Sequence, residues 1–334
     1  MREPPFWWRA AGLEATLLAP AAAIYGAVAA CRLARPGRRA GVPVVCIGNP
    51  TVGGAGKTPT ALAVARMLRT AGERPVLLSR GYGGRLAGPL QVDPGRHRAA
   101  DVGDEPLLLA HATPTIVARD RVKGAQAAVG AGASVIVMDD GFQNPSLAKD
   151  FSVLVVDGRR GVGNRRVIPA GPLRAPLAAQ FARAQAVIVV GAASGSAHVL
   201  AAAAQRSIPV FHAALHPDVR ALAALGAARV LAFAGIGEPE KLFATLRHAG
   251  IAVAATSSFA DHHRYTAAEA KTLCERAARE NLTLVTTEKD LVRLQGETAT
   301  VELAARAQAL PVTLVLEDEA AFQALLLARI AAAR

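Results

Sequence analysis

Short apolar runs alternate with longer segments of helical periodicity from residue 42 onward. This alternation predicts parallel strands joined by crossover helices. The runs fall into two groups, which indicates two α/β domains. The first group comprises residues 42–47, 75–79, 115–118, 135–138, 153–156, 186–190 and 209–211, and the second comprises residues 230–233, 252–255, 282–286 and 312–316.

A stretch without a clear strand or helix pattern separates the two groups, and it contains a turn signal at His216-Pro217-Asp218. The predicted division is therefore a first α/β domain over residues 41–212, a linker over residues 213–229 and a smaller second α/β domain over residues 230–334.

The first 40 residues have a different pattern. Trp7 and Trp8 precede a mostly apolar stretch, and arginines follow it, so that residues 1–41 carry a net charge of +4 from six arginines and two glutamates. Tryptophans at a headgroup boundary beside a short apolar helix are typical of membrane association. We predict that residues 1–40 form a helix that lies on a membrane or inserts shallowly, and the alternative is a helix packed on the first domain.

The stretch VVCIGNPTVGGAGKTPT, residues 44–60, places a Gly-rich turn between an apolar strand and a helix. Glycines let backbone N–H groups close on phosphate oxygens, a lysine reaches the β- and γ-phosphates, and a threonine hydroxyl can ligate Mg²⁺. Thr51 replaces the first glycine of the strict motif, and a Gly-rich turn without a ligand is the alternative interpretation. The predicted phosphate-binding residues are Gly53, Gly54, Ala55, Gly56, Lys57, Thr58 and Pro59.

The apolar strand over residues 135–138 ends in two carboxylates, Asp139 and Asp140. In a nucleotide-binding sheet this end of the strand faces the ligand, and an acidic residue there holds Mg²⁺ directly or through water. We therefore predict a magnesium site formed by Thr58, Asp139 and Asp140, with a solvated strand end as the alternative.

Other polar segments are candidates for substrate binding or chemistry. Asp104 and Glu105 stand before an apolar helix, where either could cap the helix or act as a base, and spacing does not decide between these roles. The segment SRGYGG, which contains Tyr82, follows a strand and is either a substrate loop or a simple turn. Phosphate recognition is a role that suits arginine, although a single arginine is more often a surface residue; the candidates are Arg119, Arg121, Arg165, Arg166 and Arg174.

The second domain contains two further motifs. Asp261, His262 and His263 lie in FADHHRY, where adjacent histidines seldom face one metal and no third ligand is spaced for zinc. The segment TTEKD, residues 286–290, follows a strand and is by itself a weak signal for a base-reading loop.

Composition narrows the class of protein. A length of 334 residues with 52% hydrophobic residues fits an ordered protein of about two domains. The net charge of +12 would suit nucleic acid, an anionic membrane or a phosphorylated substrate. The aromatic fraction of 4% supplies few stacking platforms for single-stranded nucleic acid. Three widely spaced cysteines indicate a reducing compartment rather than a disulfide framework.

Taken together, the motifs resemble the tetraacyldisaccharide 4′-kinases, the lipid A 4′-kinases of Gram-negative bacteria. The N-terminal apolar segment also matches. Ala175 is a departure, because the family often has Glu there, and this chain lacks that carboxylate. The segments that carry the resemblance are GNPTVGGAGKTP, SRGYGG, DVGDEP, MDDGFQN, PAGPLR, FAGIGEP, FADHH and TTEKD, in that order from Gly48 to Asp290.

The resemblance implies an α/β fold with a P-loop NTPase-like parallel-sheet domain, a β-ribbon linker and a smaller α/β domain across a cleft. It implies that ATP, with Mg²⁺, phosphorylates the 4′-hydroxyl of a tetraacyldisaccharide 1-phosphate to form lipid IVA. Asp104 would be the base, paired with His262, and Lys57 would bind the phosphates. We assign substrate binding to Tyr82, Glu105, Arg121 and Arg174.

The expected partners are the lipid substrate and a membrane surface, with no nucleic acid and no obligate protein partner. The expected location is the cytoplasmic face of the bacterial inner membrane. An alternative function is a P-loop NTPase switch of the protein-localising or metal-chaperone type. Those ATPases share the GGxGKT core but carry a second lysine where this chain has Val52, which counts against the alternative.

Overall fold

Buried apolar strands form two β-sheets in a computed structural model, which describes residues 3–334. The first two residues of the segment 1–40 therefore lie outside the described residues. The strands are β1 (Val44–Gly48), β2 (Pro75–Ser79), β3 (Leu90–Gln91), β4 (Thr115–Val117), β5 (Val135–Asp139), β6 (Phe151–Asp157), β7 (Ala186–Val190), β8 (Val210–Pro217), β9 (Arg229–Ala234), β10 (Ala252–Ser258), β11 (Thr283–Thr287), β12 (Ala307–Leu310) and β13 (Val312–Leu316).

Helices connect most of these strands, as expected for crossover connections in a parallel sheet. They are α1 (Leu13–Leu17), α2 (Ala19–Ala34), α3 (Lys57–Thr70), α4 (Ala99–Val102), α5 (Asp104–Ala112), α6 (Arg121–Gly130), α7 (Leu177–Phe181), α8 (Ala197–Ala204), α9 (Val219–Leu225), α10 (Glu240–His248), α11 (Ala267–Glu280), α12 (Glu288–Leu294), α13 (Val301–Arg306) and α14 (Glu319–Ala332).

The larger sheet has nine strands in the order β13-β8-β7-β6-β1-β5-β2-β4-β3, and the smaller has four in the order β10-β9-β11-β12. All neighbours are parallel except the edge pairs β8–β13 and β3–β4. Every residue of β1, β2, β5 and β6 is buried, because helices cover both faces of the large sheet. Strand β1 lies between β5 and β6, so the segments that follow these strands meet at one edge.

The C-terminal part of the chain returns to the large sheet. Strand β13 pairs antiparallel with β8, and α14 packs Phe322, Leu326 and Ile330 into the core on one face of that sheet. The ring centroid of Phe322 lies 5.1 Å from that of Phe211 and 6.1 Å from that of Phe151. The predicted start of the second domain at residue 230 agrees with β9, but its predicted end at residue 334 needs correction, because that domain ends with β12 and is inserted between β8 and β13.

The β-ribbon expected over residues 213–229 is present only in the first part of that range. Strand β8 continues to Pro217, so the first part of residues 213–229 belongs to the antiparallel β8–β13 pair, and helix α9 follows it. The apolar run at 312–316 follows the second group in chain order, yet it pairs with a strand of the first group. Pairing partners are not visible in a local pattern, and β13 joins the first sheet.

Most predicted strands agree with the structure within a few residues. The ranges 75–79, 186–190 and 312–316 are reproduced without change as β2, β7 and β13. The short strands β3 and β12 were missed, because Leu90–Gln91 and Ala307–Leu310 lack the β-branched run that distinguishes a strand from its surroundings.

The N-terminal segment packs one face on the first domain and leaves the other face exposed. Ala15, Ala22, Gly26 and Leu33 are buried, and α2 contacts α7. The described residues include no helix whose length and apolar character suffice to cross a bilayer. The exposed apolar side chains are Leu13, Leu17, Ile24, Tyr25 and Val28.

The two tryptophans do not share one environment, contrary to the prediction that both lie at a headgroup boundary. Trp7 is buried, with 8% of its surface exposed, and its indole N–H donates to the carbonyl of Pro169 at 3.0 Å. Trp8 is half-buried and donates to Glu3 at 2.9 Å. Trp7 therefore anchors the segment to the domain, because its indole satisfies a backbone acceptor inside the protein.

Candidate functional site

The phosphate loop connects β1 to α3, and helix α3 begins at Lys57. Gly53 and Gly56 adopt φ values of 99° and 91°, a region that side chains other than glycine rarely occupy. The side chain of Asn49 donates to the carbonyl of Gly53 at 3.0 Å and so fixes the loop. The N-terminus of α3 therefore points its free backbone N–H groups toward the loop, as an anion site requires.

Asp139 is buried at the end of β5, next to the loop strand. Its Oδ2 lies 3.5 Å from the Thr58 hydroxyl, and its Oδ1 is buried without a hydrogen-bond partner among the described residues. Burial, with further repulsion from Glu105 and Asp140, raises the pKa of Asp139 to about 7. A buried carboxylate with an unpaired oxygen beside a threonine hydroxyl is a group that a cation would stabilise.

Asp140 is held in a left-handed backbone conformation, with φ of 52°. Its carboxylate accepts from Arg174 at 2.7 Å and lies 3.9 Å from the ammonium of Lys57. Burial disfavours its charged form, but Lys57 and Arg174 outweigh that effect and keep the pKa of Asp140 below its usual range. Arg174 therefore contacts a carboxylate of the phosphate site and also the carbonyl of Thr51, at 2.9 Å.

Asp104 and His262 meet across the two domains. Asp104 is the first residue of α5 and is 4% exposed, and its Oδ2 lies 3.0 Å from Nδ1 of His262, 158 positions away. The backbone N–H of Glu105 donates to the other oxygen, Oδ1, at 2.9 Å. Of the alternatives left open by spacing, Asp104 does not cap α5, because Gly103 occupies the N-cap position.

Arg293 of α12 joins this pair, although it belongs to none of the motifs recognised in the sequence. Its Nε donates to the same Oδ2 of Asp104 at 2.7 Å, while Nη1 donates to the carbonyl of Gly235 and to Asp290 at 2.8 Å each. Its Nη2 is buried without a partner among the described residues. Arg293 is thus tied to three acceptors, and its Nη2 group keeps its N–H donors unpaired within the described residues.

These contacts set the protonation of the pair. Burial would raise the pKa of Asp104, but His262 and Arg293 lower it well below the usual range of a carboxylic acid. The contact with Asp104 is the largest cause that raises the pKa of His262, and burial opposes it. Asp104 is therefore ionised at neutral pH, and His262 is the member of the pair that can change its charge there.

Glu105 pairs with Lys289, a second cation of α12, which lies in the TTEKD segment. The Lys289 ammonium donates to Glu105 Oε1 at 2.6 Å. Lys289 and Arg293 are four residues apart on one helix and so project from the same face. The segment TTEKDLVR places this pair directly after strand β11, which is the signal from which the contact could have been anticipated.

The remaining substrate candidates occupy different positions. Tyr82 is 64% exposed, and its ring centroid lies 5.3 Å from that of His262. Arg121 is 3% exposed, donates to the carbonyl of Ala118 at 2.7 Å, and keeps a buried Nε without a partner among the described residues. Burial, with Arg80 nearby, lowers the pKa of Arg121 to about 10. Tyr82 thus faces the cleft, whereas Arg121 is enclosed by protein.

The loop after β9 brings the second domain over the phosphate loop. A Cβ placed on Gly237 would lie 3.7 Å from the backbone nitrogen of Gly54. Beside this contact Glu238 pairs with Arg159, and Lys241 pairs with Asp157. The two domains are therefore held together by charged contacts at two places around the candidate site.

His263 does not take part in a metal site. Its Nε2 lies 3.0 Å from Glu269 of its own domain. Within residues 3–334 no cluster of three or more His, Cys, Asp or Glu side chains is arranged to hold a metal ion. A divalent cation at Asp139 would therefore complete its coordination with phosphate oxygens and water, as Mg²⁺ commonly does.

The chain is similar to one protein family along nearly its whole length. The family model described as "LpxK: Tetraacyldisaccharide-1-P 4'-kinase" matches residues 14–331. A tetraacyldisaccharide 4'-kinase of Rhodopseudomonas palustris (strain BisA53) is 55% identical over 100% of this chain and 97% of the relative. A tetraacyldisaccharide 4'-kinase of Methylobacterium sp. (strain 4-46) is 57% identical over 99% of this chain and 98% of the relative.

A solved structure supports the fold. LpxK from Aquifex aeolicus, crystallised in complex with ATP, superposes with a TM-score of 0.73 at 26% identity and covers 95% of this chain and 99% of the crystallised one. The α/β architecture with its large, mostly parallel sheet is thus shared with that protein.

Proposed function

The chain belongs to the tetraacyldisaccharide-1-P 4′-kinase family, and we propose that the site between its two domains carries out the transfer characteristic of that family. The chain is an ATP-dependent kinase that phosphorylates the 4′-hydroxyl of a tetraacyldisaccharide 1-phosphate to form lipid IVA in lipid A biosynthesis. The switch-type NTPase alternative loses its support, because the family match runs through both domains.

One observation carries the assignment of residues to this reaction. Asp104 and His262 belong to different domains and still meet at 3.0 Å. The same arrangement of the two domains places the loop of Gly237 against the phosphate loop. An acceptor hydroxyl placed at Asp104 and His262 would therefore lie in the cleft that also contains the phosphate loop, as in-line phosphoryl transfer requires.

We assign ATP binding to the phosphate loop, with Lys57 and the backbone N–H groups of residues 53–58 on the phosphates. Magnesium fits the unpaired Oδ1 of Asp139 and the nearby Thr58 hydroxyl. These two residues would hold the ion, with Asp140 beside it. When bound, it would neutralise charge on the phosphates that react.

Asp104 and His262 act on the acceptor hydroxyl. A sugar hydroxyl is a poor nucleophile, and a base within hydrogen-bond reach takes its proton as the bond to phosphorus forms. Arg293 fixes the orientation of the Asp104 carboxylate through Oδ2, and His262 shares that oxygen. Tyr82, Glu105, Arg121 and Arg174 remain our candidates for binding the acceptor, with Tyr82 the one exposed beside His262.

The N-terminal segment supports association with the cytoplasmic face of the inner membrane. Its exposed face carries apolar side chains that protein does not cover, such as Leu13, Leu17 and Ile24. A lipid acceptor resides in a bilayer, so a kinase that lies on this surface meets its substrate there. No obligate protein partner is needed in this scheme.

The direct test is transfer of radiolabelled phosphate from ATP to the disaccharide acceptor, with products separated by thin-layer chromatography. Lys57→Ala removes the phosphate contact, and we expect turnover about 10²- to 10³-fold lower with an unchanged thermal midpoint. The matched control is Lys123→Ala, which removes an exposed lysine of the same domain. Wild-type turnover in Lys57→Ala would disprove the loop assignment.

A further inference from the structure

A cavity of about 670 Å³ opens beside the N-terminal segment. It lies between the residues that precede α1 and the loops that follow β6 and β7. Its wall is mostly cationic and aromatic, and none of the residues assigned to phosphoryl transfer lines it. The side chains that define this basic cavity are Trp8, Arg9, Arg160, Arg165, Arg166 and His198.

Three of its arginines have no acidic partner in the described part of the chain. Arg9, Arg165 and Arg166 are exposed, and no carboxylate of residues 3–334 lies within 4.0 Å of their guanidinium nitrogens. Arg160 is different, because it pairs with Glu3 at 3.1 Å and lies 4.7 Å from the centre of the Trp8 ring. The cavity thus has a fixed aromatic wall and an excess of positive charge.

The loop that carries Arg165 and Arg166 is held in place by the hydrogen bonds of a buried asparagine. Asn164 is 8% exposed, and its amide donates to the carbonyl of Ala170 at 2.9 Å. Its Oδ1 accepts from the backbone N–H of Arg166 at 3.0 Å. A buried asparagine therefore fixes the backbone beneath both arginines, and their positions at the cavity do not depend on a surface loop alone.

An unpartnered apolar surface begins a few residues beyond Arg9. Leu13 and Leu17 are four residues apart on α1, and Ile24 and Val28 are four residues apart on α2, so each pair shares a helix face. Their exposed fractions are 73%, 72%, 71% and 56% respectively. Cationic side chains next to an apolar helix face match the order of phosphates and acyl chains at a bilayer surface.

We propose that the basic cavity binds the phosphate group of an anionic bilayer phospholipid while the apolar face of α1 and α2 enters the acyl region. The proposal rests on the membrane association proposed above and gives it a chemical specificity. Charge complementarity and continuity with the exposed apolar face favour the bilayer as the source of the phosphate. The acceptor's own 1-phosphate is the competing source, and the test separates the two.

The experiment measures partition of the full chain onto vesicles of neutral phosphatidylcholine, with and without anionic phosphatidylglycerol. We expect Arg165→Ser/Arg166→Ser to weaken binding to the anionic vesicles about 30-fold and to leave binding to neutral vesicles unchanged. The matched control is Arg220→Ser/Arg329→Ser, which removes two exposed arginines outside the cavity. Equal losses in both double variants would show general charge attraction and overturn the cavity assignment.

Two further readouts separate the remaining outcomes. In a Trp7→Phe background Trp8 is the single tryptophan of the chain, and its emission should shift only with anionic vesicles. The KM of Arg165→Ser/Arg166→Ser for the acceptor, measured in neutral detergent, gives the second readout. A raised KM in this variant, with its binding to anionic vesicles intact, would assign the cavity to the acceptor's phosphate and overturn the proposal. Absence of wild-type binding to either vesicle would instead contradict membrane association itself, whereas kinase activity tests the phosphate site separately.

Discussion

The carboxylate of Asp104 accepts hydrogen bonds from its own backbone neighbour and from Arg293, and His262 contacts the same oxygen as Arg293. A base anchored at both oxygens has one orientation available to it. The side chain is therefore preorganised before the acceptor arrives, which reduces the entropy lost on reaching the transition state.

If Asp104 and His262 act as one unit, their substitutions should not be additive. We expect Asp104→Ala, His262→Ala and the double variant each to lower turnover by about 10²- to 10⁴-fold, with similar losses in all three. ATP affinity, measured by calorimetry, should change little because neither residue belongs to the phosphate loop. Losses that multiply in the double variant would show two independent roles.

The Asp104–His262 contact should also make stability depend on pH. The pKa of His262 is raised in the folded protein, so the stability it contributes is fully present below the unfolded value of about 6.5 and is lost as pH rises through the folded value. The pKa of Asp104 is lowered, so its contribution is present above about 3.9 and is lost under more acidic conditions. The pair should therefore stabilise the protein most between these limits.

His262→Gln removes the titrating group and provides the test. We expect its thermal midpoint to fall below the wild-type value at pH 5.5, and the difference to shrink as pH rises past the folded pKa of His262. The loss at pH 5.5 should correspond to roughly 1.5–3 kcal/mol, the range for a hydrogen bond that involves a charged group. A difference that grows with pH would contradict the assigned direction.

Some residues of the site can be predicted from the sequence because they lie in local motifs, whereas others are brought together only by the docking of the two domains. Lys57 opens helix α3 after the Gly-rich loop and Asp139 ends strand β5, so the roles of both can be inferred from a few neighbouring positions. The pairing of Asp104 with His262 came from family resemblance, because periodicity could not bring together residues of different domains. Arg293 had neither a motif nor a unique spacing, and only the docked arrangement of α12 reveals it.

Helix α12 is the element that joins the second domain to the catalytic side of the first. Its Lys289 and Arg293 reach Glu105 and Asp104, which occupy the first turn of α5. The acidic residues lie at the positive end of the α5 dipole, which stabilises their charged forms before the domains meet. Two cations of α12 in the second domain therefore pair with two carboxylates at the N-terminus of α5 in the first domain.

The N-terminal helices permit a prediction at the same scale. Removal of residues 1–33 takes away the exposed apolar face of α1 and α2, so we expect the protein to leave the membrane fraction and to lose activity on the natural lipid more than ATP binding. Sedimentation with membranes and ATP calorimetry on the same preparation measure both quantities. Unchanged sedimentation of the truncated protein would contradict the prediction.

Strands and helices were predicted better than their assembly. Buried parallel strands appear as continuous apolar runs, and this is why β2 and β7 were recognised with their observed limits. The assignment of β13 failed because its apolar run is indistinguishable from those of the neighbouring domain. Local pattern determines the element, whereas pairing depends on long-range contacts that no short window contains.

At the scale of the whole molecule, the first domain depends on residues from both ends of the chain. Phe322 of α14 is fully buried against Phe211 and Phe151, so Phe322→Ala should lower the free energy of unfolding by about 3–5 kcal/mol. Denaturant unfolding measures this change. Val219→Ala, at a position that is 77% exposed, is the control and should change it by less than about 0.5 kcal/mol. A small effect of Phe322→Ala would show that α14 adds little to the core.

The return of β13 and α14 to the large sheet has a consequence for the order of events on the ribosome. The second domain is continuous from β9 to β12, so it can complete its fold as soon as that stretch has emerged. The first domain begins earlier but cannot complete its fold until β13 and α14 have been synthesised. Before that point β8 remains an unpaired sheet edge, and the space that Phe322 fills in the core remains empty. Domains usually finish in the order in which they are translated. In this chain the domain that starts first is the one that finishes last, and its unfinished edge is the surface that a nascent-chain chaperone would need to cover.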